Sequence, residues 1–320
     1  MQTIRVTKPG DASELHVEEV EPPRPGSGQV LVRNTAAGVN FIDVYYRDGT
    51  YPAEYPFTPG QEGAGVVEAV GEGVTAFTPG ARVAYATQLG AYAEYTVVPE
   101  DKLIPVPDGV DLTDAGAVTL QGIAAYYLTH QTHPVAKGET VVVLAAAGGL
   151  GRLLVQLAVA RGATVIAVTS TPEKERIARE AGAQHTVGYD RFNESVRELT
   201  GGKGAQVVYD SVGAATYLAG LRSLGRRGTL ALCGLSSGAV PPLNVELLRD
   251  GGSLFPTRPT MKDHVYDAET LRAAGGAVFS YVADGVLKPL VHASLPLGEA
   301  ARAHRLLESR ATTGKLLLTP

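Results

Sequence analysis

Residues 139–162 read ETVVVLAAAGGLGRLLVQLAVARG, and how this stretch folds decides the architecture of the chain. Val141 to Leu144 are apolar without alternation, which predicts a strand covered on both faces, as in the middle of a parallel sheet. From Leu150 the apolar residues recur at helical spacing and stop at Gly162, which predicts a helix ended by glycine. Between the two lies Ala145-Ala-Ala-Gly148-Gly149-Leu150-Gly151, an A-x-x-G-x-x-G turn. Gly148 lets the backbone approach a pyrophosphate and Gly151 lets helix and strand pack closely. Gly149 and Leu150 open the helix, where free N–H groups and partial positive charge gather. A tight βα turn without a ligand uses the same glycines, but strand, helix and second strand in the right order make a dinucleotide cradle the better reading.

The rhythm then repeats. ATVIAVTS, EKERIAREAG, QHTVGY, FNESVRELTG, AQVVYDSV and GTLALCGLS predict an α/β fold with a doubly wound parallel sheet of Rossmann type. An NAD site carries Asp or Glu about twenty residues beyond the glycines, accepting from the ribose 2'-hydroxyl. This chain offers Thr169, Ser170 and Thr171 there, then Lys174. Hydroxyls and a cation suit a 2'-phosphate that a carboxylate would repel, so the expected cofactor is NADPH. Lys174 is equally placed to pair with Glu173 or Glu175 as an ordinary surface residue.

Before about Asp114 the texture differs. QVLVRNTAAGVN, GVVEAVGEGV and GARVAYATQ are strand-like runs cut by Pro-Gly pairs at Pro25, Pro59 and Pro79, which predicts a small barrel-like β unit. After Arg258, helix and short strand finish in GKLLLTP, placed to return to the first unit. The expected domains are therefore interleaved: residues 1–120 with 262–320, and 121–261 between them.

Composition narrows the function. The 320 residues are 44% apolar with a net charge of -5, so no basic field for nucleic acid or anionic lipid exists, and function is expected in a pocket. Charges at Arg5, Lys8 and Asp11 argue against a secretory leader, and the longest apolar stretch is too short to cross a bilayer. A single cysteine, Cys233, permits neither an internal disulfide nor a cysteine-based zinc cluster, and reads as a small buried residue. A reducing, cytoplasmic setting follows as the expectation.

The stretch TPGQEGAG, Thr58 to Gly65, sets Gln61 and Glu62 between glycines. Extended to GQEGAGVVEAVGEGVTAFTPGARVAY, it resembles the signature G-x-E-x-x-G-x-V-x-x-V-G…F-x-x-G-x-R-V of the medium-chain dehydrogenase/reductase superfamily, whose first domain is GroES-like. Together with AAAGGLG the resemblance covers essentially the whole chain. In the zinc alcohol dehydrogenases of that superfamily a histidine ligand stands at the position of Gln61 and a cysteine ligand near Asn40. Neutral amides do not replace them, so no metal is expected. Glu62 is then a general acid or, more simply, hydrogen-bonded scaffolding.

GVNFIDVYYRDGTYP, YDSVG, SSGAV, TRP and AHRLLESRATTGKLLL together resemble the NADPH:quinone oxidoreductases of the zeta-crystallin-like branch. The resemblance implies a zinc-free, flavin-free homodimer in which NADPH reduces a quinone, by hydride or electron transfer, in the cleft between the domains. It implies Asn40, Tyr45 and Tyr51 around the quinone and nicotinamide. Lys174, Tyr189 and Arg310 would surround the adenosine phosphate end, with Ser236, Ser237, Phe255 and Arg258 near the nicotinamide.

Plainer readings stand beside these. Asn40 and Asp43 fit a helix cap, Tyr45 fits core filling, Tyr189 fits a strand end, and Arg310 fits a surface ion pair. Gln121 either touches substrate or only begins a helix. The seven histidines show no ligand spacing and no relay with a carboxylate, and His304 is expected on a helix surface or as packing. GTLALCGL with GGSLFPTRP is the expected joining edge of a dimer. Two other roles compete: NADPH-dependent reduction of an alkenal or enone double bond, which uses the same hydride geometry, and a non-catalytic NADPH-binding or RNA-associated protein, against which the acidic balance speaks.

Overall fold

Strands form first where the Pro-Gly pairs leave room for them. β1 (Gln2–Arg5) and β2 (His16–Glu19) make an antiparallel ribbon. β3 (Gln29–Val39) runs into the short helix α1 (Phe41–Arg47), and β4 (Glu62–Val70), β5 (Arg82–Ala86), β6 (Tyr95–Pro99) and β7 (Leu103–Pro105) follow before α2 (Leu112–Tyr127). The computed structural model describes residues 1–320 and divides them into two units, Met1–Ile123 with Val265–Pro320 and Ala124–His264, so that the division falls inside α2.

The second unit alternates strand and helix throughout: β8 (Thr140–Leu144), α3 (Gly149–Ala160), β9 (Thr164–Thr169), α4 (Pro172–Glu180), β10 (His185–Gly188), α5 (Phe192–Leu199) and β11 (Ala205–Asp210). It closes with α6 (Tyr217–Ser223), β12 (Leu224–Leu232), α7 (Glu246–Asp250), β13 (Phe255–Thr257) and α8 (Met261–His264). Its six strands are parallel in the order β10-β9-β8-β11-β12-β13, the doubly wound arrangement whose ligands bind at the carboxyl ends of the strands. Val142, Leu144, Ile166, Val168, Val208 and Leu230 fill its interior, each almost fully buried and each contributing about 1.5–3 kcal/mol of apolar burial. The unbroken apolar run of β8 is thereby explained, because a central parallel strand has no solvent face.

The chain then returns to the first unit through α9 (Ala268–Ala283), β14 (Val291–Pro296), α10 (Ala300–Glu308) and β15 (Lys315–Thr319). β15 inserts beside β3, giving a sheet ordered β14-β15-β3-β4-β5-β7 with β6 also paired to β3. One sequence expectation needs correction here. Residues 228–232 of GTLALCGL lie in β12, between β11 and β13, so their backbone groups are already paired; of the two segments only the one holding β13 lies at an edge of the sheet, whose other edge is β10.

Candidate functional site

In the first unit, sheet register gathers a buried polar cluster. Ala37 pairs with Gly63 and Val39 with Leu316, which brings Glu62 opposite Gly38 and Lys315 beside Asn40. A Cβ on Gly38 would lie 2.2 Å from Glu62 Oε2, so the carboxylate occupies the space that a side chain would need. Lys315 Nζ donates to Glu62 Oε2 at 2.5 Å and to Asn40 Oδ1 at 2.7 Å. Asn40 Nδ2 donates to Glu62 Oε2 at 2.9 Å and to Gly38 O at 3.2 Å, while Gln121 Nε2 donates to Asn40 Oδ1 at 3.1 Å. The other oxygen of Glu62 accepts from the backbone of Leu120 at 2.7 Å. Glu62 and Lys315 are 0% and 3% exposed, so Glu62 is the anionic half of a buried ion pair, and Lys315 is the partner that sequence reasoning did not single out.

Asn40 meets the helix-start reading, and its side chain is bonded within the buried cluster. It is the residue that starts α1, its backbone N–H donating to Asp43 Oδ2 at 2.9 Å, while its side chain belongs to the cluster. Tyr51 packs edge-on against Tyr45 and Tyr46, with ring centroids 5.4 and 5.7 Å apart. The three rings form one aromatic ledge on α1 and the loop after it, with Tyr45 and Tyr46 half-buried.

Of its two expected places His304 takes packing rather than the helix surface. It is fully buried, with Arg47 Nη1 3.1 Å from Nδ1 and Tyr92 Oη 3.1 Å from Nε2. Arginine only donates, so Nδ1 accepts, Nε2 carries the hydrogen and gives it to Tyr92, and the Tyr92 hydroxyl donates to Asp43 Oδ2 at 3.1 Å. Arg47 also holds Glu308 through two bonds of 2.9 and 3.0 Å. A histidine does therefore connect to a carboxylate, through a tyrosine. Burial, with the Arg47 charge adding, pulls the His304 imidazole down to about 3, and burial raises the Asp43 carboxyl to about 7 against the pull of its donors.

In the second unit the A-x-x-G-x-x-G turn joins β8 to α3. Ala145 sits in left-handed backbone at φ 48°, and its N–H donates to the Tyr189 hydroxyl at 3.0 Å. Gly148 caps α3 without a side-chain bond, which leaves the first N–H groups of the helix, those of Gly149, Leu150 and Gly151, facing the turn. A Cβ on Gly151 would fall 2.2 Å from Ala145 O, so strand and helix approach as the sequence requires. At the carboxyl end of β9, Thr169 is 3% exposed and its hydroxyl has no hydrogen-bond partner in the chain. Lys174 Nζ lies 3.5 Å from Ser170 Oγ. Cradle, hydroxyls and cation thus stand at adjoining strand ends, and the set fits a dinucleotide bearing a 2'-phosphate.

The remaining sequence candidates are dispersed. Ser237 Oγ donates to Val212 O at 2.8 Å and accepts from Ala215 N at 3.0 Å, which ties two loops together. Ser236 lies beside it, its N–H 3.5 Å from Ser211 O. Asp210, buried at the end of β11, holds the same loop through Val212 N, Gly213 N and Thr216 Oγ1. Phe255 and Arg258 line a separate open groove of about 480 Å³ with Thr132 and His264. Arg310 follows α10 in the first unit, in left-handed backbone at φ 57°. No group of three or more His, Cys, Asp or Glu side chains comes together as a metal site would require.

Two family descriptions match the chain: the alcohol dehydrogenase GroES-like domain over residues 26–108 and zinc-binding dehydrogenase over residues 149–269. The chain is 45% identical to a quinone oxidoreductase of Pseudomonas aeruginosa over 315 residues, covering 97% of each protein. It is 44% identical to a 2-haloacrylate reductase of a Burkholderia species, covering 98% of each. Among solved structures it resembles the quinone oxidoreductase of Escherichia coli complexed with NADPH, at 40% identity, full coverage of both chains and a TM-score of 0.97.

Proposed function

The chain belongs to the quinone oxidoreductase family of medium-chain dehydrogenases and reductases, and on that premise we propose that it reduces quinones with NADPH, using neither zinc nor flavin. The observation that carries this reading is the carboxyl end of β9, where an unsatisfied Thr169 hydroxyl, Ser170 and Lys174 replace the acid of an NAD site.

Gly148 to Gly151 would hold the pyrophosphate, and Thr169, Ser170 and Lys174 the 2'-phosphate, with Tyr189 bracing the turn from behind. Bound there, NADPH supplies the reducing hydride. Tyr45 and Tyr51 offer a flat ring an aromatic ledge, which orients it by stacking and excludes water. Asn40 is saturated by its neighbours, so its part is to position Gln121 and the start of α1 rather than to transfer a proton. Glu62 is neutralised by Lys315 and acts as scaffold; the proton that a reduced quinone needs comes from solvent.

Titrating the protein with NADPH and NADH by cofactor fluorescence, then adding 1,4-benzoquinone or a 2-alkenal, tests the reading. Tight NADPH binding with fast benzoquinone turnover is the expected result. The 44% identity to a 2-haloacrylate reductase favours a second reading, reduction of an activated double bond, and faster turnover of the alkenal would select it. A homodimer is part of the proposal, supported by the open edge of β13 and by Phe255, which is 55% exposed there. A cytoplasmic location suits a chain with one cysteine and no helix long and apolar enough to cross a membrane.

A further inference from the structure

We propose that Gln121 is a specificity residue whose side-chain oxygen receives an O–H from the reduced, hydroquinone form of the ligand. Three contacts fix the amides around it. Lys315 Nζ, which can only donate, lies 2.7 Å from Asn40 Oδ1, while the other end of the same amide faces a carboxylate oxygen at 2.9 Å and a carbonyl at 3.2 Å. Turning the Asn40 amide over would set N–H groups against an ammonium and oxygen against oxygen. With Asn40 Oδ1 held in place, Gln121 must meet it with Nε2, at 3.1 Å, which turns Gln121 Oε1 the other way. That oxygen is buried and no donor in the chain reaches it. Buried acceptors are nearly always satisfied, so an ion pair that holds one unsatisfied points to a donor brought by a ligand.

The donor's chemistry follows from the place. Gln121 is bonded to Asn40, the residue that starts α1, and α1 carries Tyr45 with Tyr51 against it, the ledge assigned above to the quinone; the inference rests on that reading. A quinone has only acceptor oxygens and cannot satisfy Oε1. When the quinone gains one hydride and one solvent proton, both ring oxygens end as O–H groups, and either is a donor of the right kind. Gln121 therefore favours the reduced ligand over the oxidised one, and it makes hydroquinone a product that binds appreciably.

The test is anaerobic calorimetric titration of wild type and Gln121→Met with 1,4-dihydroxybenzene, beside the KM for 1,4-benzoquinone with NADPH. Methionine keeps the stem and removes the acceptor, together with the Nε2 donor to Asn40, whose Oδ1 keeps its bond from Lys315. Hydroquinone binding should weaken by about three- to tenfold in the variant, as one neutral hydrogen bond predicts, with the benzoquinone KM within about twofold. Unchanged hydroquinone affinity overturns the proposal, and so does an equal loss for both ligands, which marks a packing role. Should the variant not fold, wild type titrated with 1,4-dimethoxybenzene takes its place, and affinity equal to that for hydroquinone overturns the proposal. Wild type that never turns over benzoquinone defeats the quinone reading itself; turnover with hydroquinone binding indifferent to residue 121 defeats only the role of Gln121.

Discussion

Two residues separate nucleotide recognition from scaffold. Lys174 stands beside Ser170 where an NAD enzyme has an acid, so its ammonium should count for the 2'-phosphate. Lys174→Ala is expected to weaken NADPH by about 1.5–3 kcal/mol, the worth of a hydrogen bond to a charged group, and to leave NADH nearly unchanged. Equal losses in fluorescence titrations of the two cofactors would refute the assignment. Lys315 differs because its charge is buried against Glu62. Lys315→Met leaves a carboxylate uncompensated and should lower stability by about 3–5 kcal/mol, whereas adding Glu62→Leu should restore most of the loss. Urea midpoints for the two single variants and the double variant measure that coupling, and additive losses would show that the pair is not a unit.

At the scale of elements, the Arg47–His304–Tyr92–Asp43 chain fastens α1 to α10 and so fixes the helix that bears Tyr45. Its two titrating members work in opposite directions. His304 stays neutral in the fold down to about pH 3, against an ordinary value of 6.5, so the unfolded chain binds the extra proton and stability falls as pH drops from 6.5. Asp43, raised to about 7 from 3.8, keeps its proton in the fold where the unfolded chain has lost it, so its effect on stability falls as pH rises across that interval. The advantage of wild type over His304→Gln should therefore shrink by about 1.4 kcal/mol per pH unit below 6.5. Urea midpoints at pH 7.0, 6.0 and 5.0 read this directly, and a constant difference would mean that His304 carries a proton in the fold. Such a network could not be seen along the chain, because Arg47 and His304 are 257 positions apart and nothing local marks His304 as buried. The β8–α3–β9 unit was legible because each of its determinants is local: apolar runs, glycine spacing and a helix stop.

For the whole molecule, the same distinction between local and register-made features governs what can be expected of assembly. The parallel sheet of the second unit follows from alternation, but which strands end on the outside is a property of the completed sheet, and it places β12 inside with β10 and β13 at the edges. A three-residue edge strand with Phe255 55% exposed, close in sequence to Val245 at 66% and Leu247 at 41%, is an apolar edge of the kind that proteins cover. In the proposed dimer a second copy related by a two-fold axis would cover it with one antiparallel strand pair, the self-complementary contact of a closed dimer. Phe255→Lys places a charge on that edge. It should shift the mass in sedimentation equilibrium from a dimer toward the 33.4 kDa chain. A wild type that sediments at the mass of one chain at micromolar concentration would leave the edge unpaired, and the dimer would have to be abandoned without touching the nucleotide site.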